Sequence, residues 1–177
     1  ERVSPELDAA WAERAQYARS LRALDYAAGQ CRALEVRYAV LACALAVLDE
    51  PESGLRRMSS RLRVPADARD LAVLALRHRE QAALGAKLDA GAIVALLQSC
   101  DAWRRPARFG LLLQVAESCV GGRGRSSAAS TRLLAALRAA RDIDAGAIAA
   151  SVSEPHKIAA RLRAARVAAV KSALGPG

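Results

Sequence analysis

Three arginines and one tryptophan lie close together in the middle of the chain, in a combination that can bind the backbone of a nucleic acid. Trp103 is followed by Arg104, Arg105 and Arg108, with Pro106 among them. An arginine guanidinium presents a planar fork to phosphate, and an indole ring offers a face on which a base stacks. The alternative is a corner between two helices, in which Trp103 fills a hydrophobic gap and Pro106 opens the second helix. Spacing alone favours the corner.

Two other segments carry arginines that could contact phosphate. The last predicted helix contains Arg161, Arg163 and Arg166 around an apolar stripe, although such side chains usually extend into water. The stretch 121–127, Gly-Gly-Arg-Gly-Arg-Ser-Ser, has the glycines of a phosphate-binding loop. It lacks the preceding strand and the Lys-Ser/Thr pair of a P-loop, so a solvated hinge is the favoured interpretation.

Residues typical of an active site are scarce. The two histidines, His78 and His156, have no convincing carboxylate or cysteine partner in sequence, and the acidic residues are scattered at predicted helix caps and polar faces. The four cysteines form no C-x-x-C pair, so they indicate neither a zinc site nor a disulfide framework. We interpret them as reduced, buried small side chains, which favours a cytoplasmic protein, and we expect no metal ion or cofactor in this chain.

The composition favours an all-α protein with an anionic partner. Hydrophobic residues make up 53% of the 177 residues but aromatic residues only 3%, so the core must be built from Ala, Leu and Val, which suits closely packed helices. The formal net charge of +9 indicates a polyanion as partner. This indication is weakened because arginine- and alanine-rich usage can also reflect the base composition of a genome. The most apolar run, residues 38–48, is too short to cross a bilayer, so no membrane association is expected.

Apolar periodicity and capping residues predict a series of helices. They are expected over residues 4–28, 31–48, 53–62, from 65, 89–99, 105–120, 130–141, from 144 and from 154. The expected N-caps are Ser4, Ser53, Asp89 and Asp144. We expect a multi-helix domain over residues 1–120, a Gly/Arg/Ser hinge over 121–127 and a small C-terminal helical lobe over 128–174.

The segment Asp101-Ala102-Trp103-Arg104-Arg105-Pro106-x-Arg108 resembles a segment of a known enzyme family. Its counterpart, Asp-Ala-Trp/Phe-Arg-Lys/Arg-Pro-x-Arg, belongs to the C-terminal half of bacterial CCA-adding enzymes, the tRNA nucleotidyltransferases. The run R-L-R-V-P-A-D-A-R-D-L-A at 61–72 and the last helix at 158–170 are similar to the same family, in the same order. Residues 24–28 and 34–41 resemble the approach to the family's HD motif, so the resemblance covers about residues 24–170.

The resemblance also implies where this chain departs from the family. In the family, the His-Asp pair of the HD motif binds a divalent metal for phosphoester hydrolysis. Cys43 and Ala44 stand at these two positions, and Arg19 stands at an earlier histidine. The His-rich segment that follows the motif is missing between Leu48 and Leu55. The resemblance therefore implies a degenerate HD-like bundle without a metal site.

A tRNA-binding helical region is the function that the resemblance implies. The RNA-binding residues would be Trp103, Arg104, Arg105, Arg108, Arg161, Arg163 and Arg166. The family's catalytic head, with its Asp-x-Asp carboxylates, has no counterpart here, so we expect no activity from this chain alone. Two possibilities stay open: a catalytic head precedes this chain in a longer protein, or a protein partner completes it. Two other interpretations also remain: a helical adaptor that binds a protein and has no RNA role, and a residual phosphohydrolase.

Overall fold

The computed structural model describes residues 4–12, 14–121 and 125–175, and within these ranges the chain forms helices and turns but no β-strand. The α-helices are α1 (Pro5–Ala10), α2 (Arg14–Gly29), α3 (Leu34–Ala42), α4 (Pro51–Arg61), α5 (Ala66–Ala83), α6 (Ala90–Ser99), α7 (Pro106–Cys119), α8 (Arg125–Arg141), α9 (Ala145–Ser151) and α10 (Ile158–Leu174). Short 3-10 segments lie at Cys43–Val47, Gly85–Lys87 and Pro155–Lys157. The predicted all-α fold class is confirmed.

Helix α5 lies at the centre of the bundle, where it packs against α3 on one side and α7 on another. Helix α2 crosses α3 and α7, and α4 lies along α5. The largest fully buried side chains include Phe109, Leu45, Leu55, Met58 and Leu71, and many of the smaller ones are alanines. A core of leucine and alanine lets the helices approach closely, as the low aromatic content predicts.

The C-terminal helices share a core with the rest of the bundle. Helices α8 and α10 pack against each other, α10 also packs against α6, and α8 covers the Gly85–Lys87 turn. One hydrophobic cluster contains Leu112 of α7, Leu133 of α8 and Val170 of α10. Residues 122–124 of the predicted hinge lie outside the described residues, and α8 begins at residue 125, not at 130 as predicted. The division into two domains stays a prediction.

The single helix predicted over residues 4–28 is wrong, because the chain forms two helices there. Helix α1 packs against the 3-10 segment Cys43–Val47 and α4, whereas α2 packs against α3 and α7. Trp11 ends α1, packs against the core, and its ring meets that of Tyr17 edge-on at 5.5 Å. One straight helix could not make both sets of contacts. Ser4 occupies the N-cap position of α1, but its side chain makes no capping hydrogen bond.

Helices α2, α4 and α6 end in the same way, at residues in the left-handed conformation. Cys31, Arg63 and Asp101 have φ values of 51°, 51° and 50°. In each case the N–H of the next residue donates to the carbonyl five positions earlier at 2.9–3.0 Å, which is the Schellman arrangement. The helix predicted from Cys31 therefore begins only at Leu34, its α-helical part ends at Ala42, and Cys31 is exposed, not buried as predicted.

Two of the predicted N-caps are confirmed, and one is wrong. The carboxylates of Asp89 and Asp144 accept hydrogen bonds from the amide three residues on, at 2.8 and 2.9 Å. Helix α4, however, begins at Pro51, since a proline fits the first turn of a helix. Ser53 lies inside α4, where its hydroxyl accepts a hydrogen bond from Arg56 Nη2 at 3.1 Å.

Candidate functional site

The turn between α6 and α7 carries the first group of predicted RNA-binding residues. Asp101 begins the turn in the left-handed conformation, and its N–H donates to the Gln98 carbonyl at 3.0 Å. Ala102 is fully buried, so the turn is anchored in the core. The N–H of Arg105 donates back to the Asp101 carbonyl at 3.0 Å, and Pro106 opens α7. The backbone of the turn is therefore fixed, and the side chains that follow it have defined positions.

Trp103 joins this turn to the last helix. The guanidinium of Arg166, on α10, lies over the Trp103 ring, 4.4 Å from the ring centroid. Burial lowers the pKa of Arg166, and its Nε is buried with no hydrogen-bond partner within the part of the chain that the structure describes. A cation stacked on an indole face in this way is held by the electrons of the ring. The two residues, far apart in sequence, thus fix the turn against α10.

The three arginines of the turn differ in their surroundings. Arg104 and Arg105 are exposed, and Arg105 Nε lies 3.9 Å from the Asp101 carboxylate, one helical turn earlier. Arg108 is half-buried, and its Nη2 donates to the Cys100 carbonyl at 3.1 Å. Arg108 therefore holds the end of α6, whereas Arg104 and Arg105 present their charges to solvent.

The arginines of α10 point in more than one direction. Arg163 is exposed and lies three residues before Arg166, so it is a neighbour of Arg166 on the helix surface. Arg161 is also exposed, but it lines a groove of about 710 Å³ between α9 and α10 together with Lys157. The structure thus brings Arg166 to the turn and places Arg161 at a separate groove.

A second concave site lies where α2, α3, α5 and α7 meet. It is a pocket of about 420 Å³, and its lining includes Arg19, Cys43 and Ala44, the positions that the resemblance compares with metal-binding residues. Arg79 and Cys119 line the same pocket, from α5 and α7. In the described part of the chain, no group of three or more His, Cys, Asp or Glu side chains is arranged to hold a metal ion.

The two cysteines of this pocket contact each other. Cys43 is buried at the start of the 3-10 segment, and Cys119 is half-buried at the end of α7. The interaction between the two thiols, together with burial, raises the pKa of Cys43. Cys119 is the more exposed of the two. Nothing in the spacing of the two residues indicates this contact, because it arises only from the packing of α3 and α7.

Glu117 has a structural function that the sequence does not indicate. It lies in a run that the family resemblance covers only weakly. Arg32 Nη2 donates to Glu117 Oε2 at 2.9 Å, and the Tyr26 hydroxyl donates to Glu117 Oε1 at 3.1 Å. These bonds connect α7 to the end of α2, which is a contact between distant parts of the chain.

Comparison with known proteins finds relatives over nearly the whole chain. The Multifunctional CCA protein of Burkholderia cenocepacia (strain J2315) is 36% identical over 204 residues, covering 99% of this chain and 49% of that protein. The proteins of the same name from Azoarcus sp. (strain BH72) and Cupriavidus necator are each 37% identical, over 170 and 202 residues. They cover 86% and 98% of this chain, and 41% and 49% of their own lengths. The chain is homologous to part of the CCA-adding enzymes.

The resemblance to CCA-adding enzymes that the sequence predicts is thus confirmed. The chain spans about half the length of the curated CCA proteins it matches. The aligned stretch of 204 residues is longer than the 177 residues of the chain, so the CCA proteins contain residues in this region that the chain lacks. No family model and no solved structure matches the chain. Among the helices described here, none is long and apolar enough to span a membrane.

Proposed function

We propose that this chain is the tRNA-binding helical region of a CCA-adding enzyme, and that its α6–α7 turn and α10 together contact the RNA backbone. The observation that carries the proposal is the stacking of Arg166 on Trp103, because it holds the turn and the helix in one surface. The exposed side chains of Arg104 and Arg105 lie on the turn, and exposed Arg163 lies on the same helix as Arg166. The homology to proteins named for CCA indicates tRNA as the polyanion that the net charge of +9 would attract.

Each residue of the predicted set has a place in this proposal. Arg104, Arg105 and Arg163 would bind phosphates, which positions an RNA without reading its sequence. Arg166 and Arg108 would act as positioning residues, and the half-exposed ring of Trp103 would offer its remaining surface to a base. Arg161 would contact a more distant part of the backbone from the groove between α9 and α10.

The pocket that contains Cys43 supports the comparison with a degenerate HD domain. Three positions from the resemblance line this one pocket, although Arg19 lies on α2 and the adjacent Cys43 and Ala44 lie on the 3-10 segment after α3. Alanine offers no metal ligand, and arginine is a cation at neutral pH. We therefore assign no phosphoester hydrolysis to this pocket, and we assign nucleotide addition to no residue of this chain.

The proposal is tested with a charge-matched pair of double variants. Arg104→Ala with Arg105→Ala removes two charges from the turn, and Arg14→Ala with Arg22→Ala removes two exposed charges from α2, which packs against α3 and α7. Fluorescence anisotropy with a labelled tRNA measures the affinity of each. We expect the turn variant to bind about tenfold more weakly than the wild type, equivalent to about 1.4 kcal/mol.

The α2 variant is expected to bind within about twofold of the wild type, since a distant charge contributes little at physiological salt. Equal affinities for the two double variants would contradict the proposal. Retention of a protein partner in a pull-down, with no tRNA binding by the wild type, would instead support the adaptor interpretation.

A further inference from the structure

Cys43 and Cys119 form a thiol pair that the proposed function does not use. Both line the wall of the 420 Å³ pocket, Cys43 from the 3-10 segment after α3 and Cys119 from the end of α7, and α3 packs against α7. The pocket opens to solvent at a rim where Val47 and Val120 are exposed. The thiol pair is therefore buried within the fold and accessible from the pocket.

We propose that Cys43 and Cys119 form a reversible disulfide when a small-molecule disulfide enters this pocket. The proposal does not rest on tRNA binding. A disulfide bond is about 2.05 Å long and needs Cβ atoms about 3.5–4.5 Å apart, so these two neighbouring thiols must close to that separation when they react. The other two cysteines have no such neighbour, since Cys31 is exposed on the linker after α2, and Cys100 is buried elsewhere in the core.

Cys119 is the thiol that an oxidant in the pocket reaches first, because it is half-buried whereas Cys43 is buried. Arg79 lies close enough to stabilise a thiolate on either cysteine, Glu80 opposes it, and Arg19 completes the charged lining of the pocket. The guanidinium of Arg79 is held in place, because its Nη1 donates to the Leu76 carbonyl at 3.2 Å. By contrast, burial raises the pKa of Cys100 to about 11, which leaves that thiol unreactive.

The reaction proceeds by two thiol–disulfide exchanges. The Cys119 thiolate attacks one sulfur of the small disulfide, forms a mixed disulfide and expels one thiolate, which takes up a proton from water. Cys43 then loses its proton to solvent and attacks Cys119 Sγ, which forms the Cys43–Cys119 bond and expels the second small thiol. The two protein thiols together lose two electrons and two protons, and the oxidant is reduced to two thiols.

The test uses the full chain and 2-hydroxyethyl disulfide as the oxidant. After incubation, free thiols are counted and the protein is digested without reduction for mass spectrometry. We expect one cross-linked peptide pair that contains Cys43 and Cys119, with no 2-hydroxyethylthio group on either, a mixed disulfide on the exposed Cys31, and recovery of all these thiols with dithiothreitol. A map in which Cys119 stays free, or pairs with any residue other than Cys43, overturns the proposal, and this result needs no variant.

Variants then separate the two exchange steps. Cys43→Ser should stop the reaction at the mixed disulfide, so that Cys119 carries a 2-hydroxyethylthio group. Cys31→Ser is the matched control, and it should keep the same cross-link as the wild type because Cys31 does not line the pocket. Absence of the mixed disulfide in Cys43→Ser, with the circular dichroism of the wild type, would contradict attack by Cys119.

Discussion

Arginine side chains of the same predicted set differ in what they contact. Arg166 stacks on Trp103, Arg108 binds a backbone carbonyl, and Arg104 extends into solvent. The first two are partly desolvated and already engaged, so a phosphate would have to displace an existing contact to reach them. Exposed Arg104 can bind a phosphate at a lower free-energy cost. Substitutions that test phosphate binding are therefore best made in the turn.

At the N-terminal end of the bundle, a buried carboxylate predicts a pH-dependent stability. Glu6 of α1 is 8% exposed, accepts a hydrogen bond from Arg61 Nη1 at 3.2 Å, and lies 3.7 Å from Arg57 Nε. The hydrogen bonds from Arg61 lower the pKa of Glu6, although burial opposes the shift. Because this pKa is lower in the folded state than in the unfolded chain, the contact stabilises the fold above about pH 4.5. That stabilisation is lost as the pH falls through the lowered pKa.

We expect Glu6→Gln to lower the Tm at pH 7 by about 2–4 °C, and the difference from the wild type to shrink below about pH 4. Thermal unfolding followed by circular dichroism from pH 3 to pH 7 measures it. Asp25→Asn, at an exposed position on α2, is the control and should leave the Tm nearly unchanged at every pH. A Glu6→Gln difference that stays constant over this range would rule out the ion pair as its cause.

At the scale of the elements, the contact between α8 and the Gly85–Lys87 turn leaves no space for a side chain. A Cβ on Gly85 would lie 2.6 Å from Cδ1 and 2.7 Å from Cγ of Leu133, which is fully buried. Glycine is therefore required by close approach of the two elements. The sequence predicts a turn at Gly85 but not the helix that covers it.

We expect Gly85→Ala to destabilise the protein by about 1–3 kcal/mol, because Leu133 must shift within a packed core. Urea unfolding measures the change. Gly110→Ala in α7 is the matched control, since a Cβ there meets nothing within 4 Å, and alanine should stabilise the helix by up to about 1 kcal/mol. Equal stability of the two variants would show that α8 does not approach the turn this closely.

At the scale of the whole molecule, the salt dependence of tRNA binding distinguishes the effect of the net charge from the effect of the local arrangement of arginines. Both a general electrostatic attraction and direct phosphate contacts weaken as salt is added, because the counterions that binding releases enter a more concentrated salt solution. Only direct contacts change the slope residue by residue. The net charge of +9 alone therefore does not locate a binding surface.

We expect log Kobs for tRNA to fall linearly with log salt concentration, and Arg104→Ala with Arg105→Ala to reduce the steepness of that line by about 2. Titrations between about 50 and 200 mM KCl, a range that includes physiological ionic strength, give the slopes. Arg14→Ala with Arg22→Ala should leave the slope as in the wild type. If both double variants reduced the slope equally, the binding would depend on overall charge and not on the turn.

The sequence by itself determined what depends on neighbouring residues. Helical periodicity with few aromatic residues determined the all-α class, and Asp89 and Asp144 cap their helices because each bond spans only three residues. Pro106 opens α7 for the same kind of local reason. The resemblance to CCA-adding enzymes was also readable, because the motif around Trp103 keeps its order relative to the run at 61–72.

Only the tertiary structure decided which distant residues meet. The stacking of Arg166 on Trp103, the contact of Cys43 with Cys119 and the break between α1 and α2 all depend on how helices cross. A helical repeat tells which face of a helix is apolar but not which helix covers it, so these pairs have no signal in sequence. The same limit applies to the predicted RNA-binding residues, because their exposure is set by the elements that pack around them.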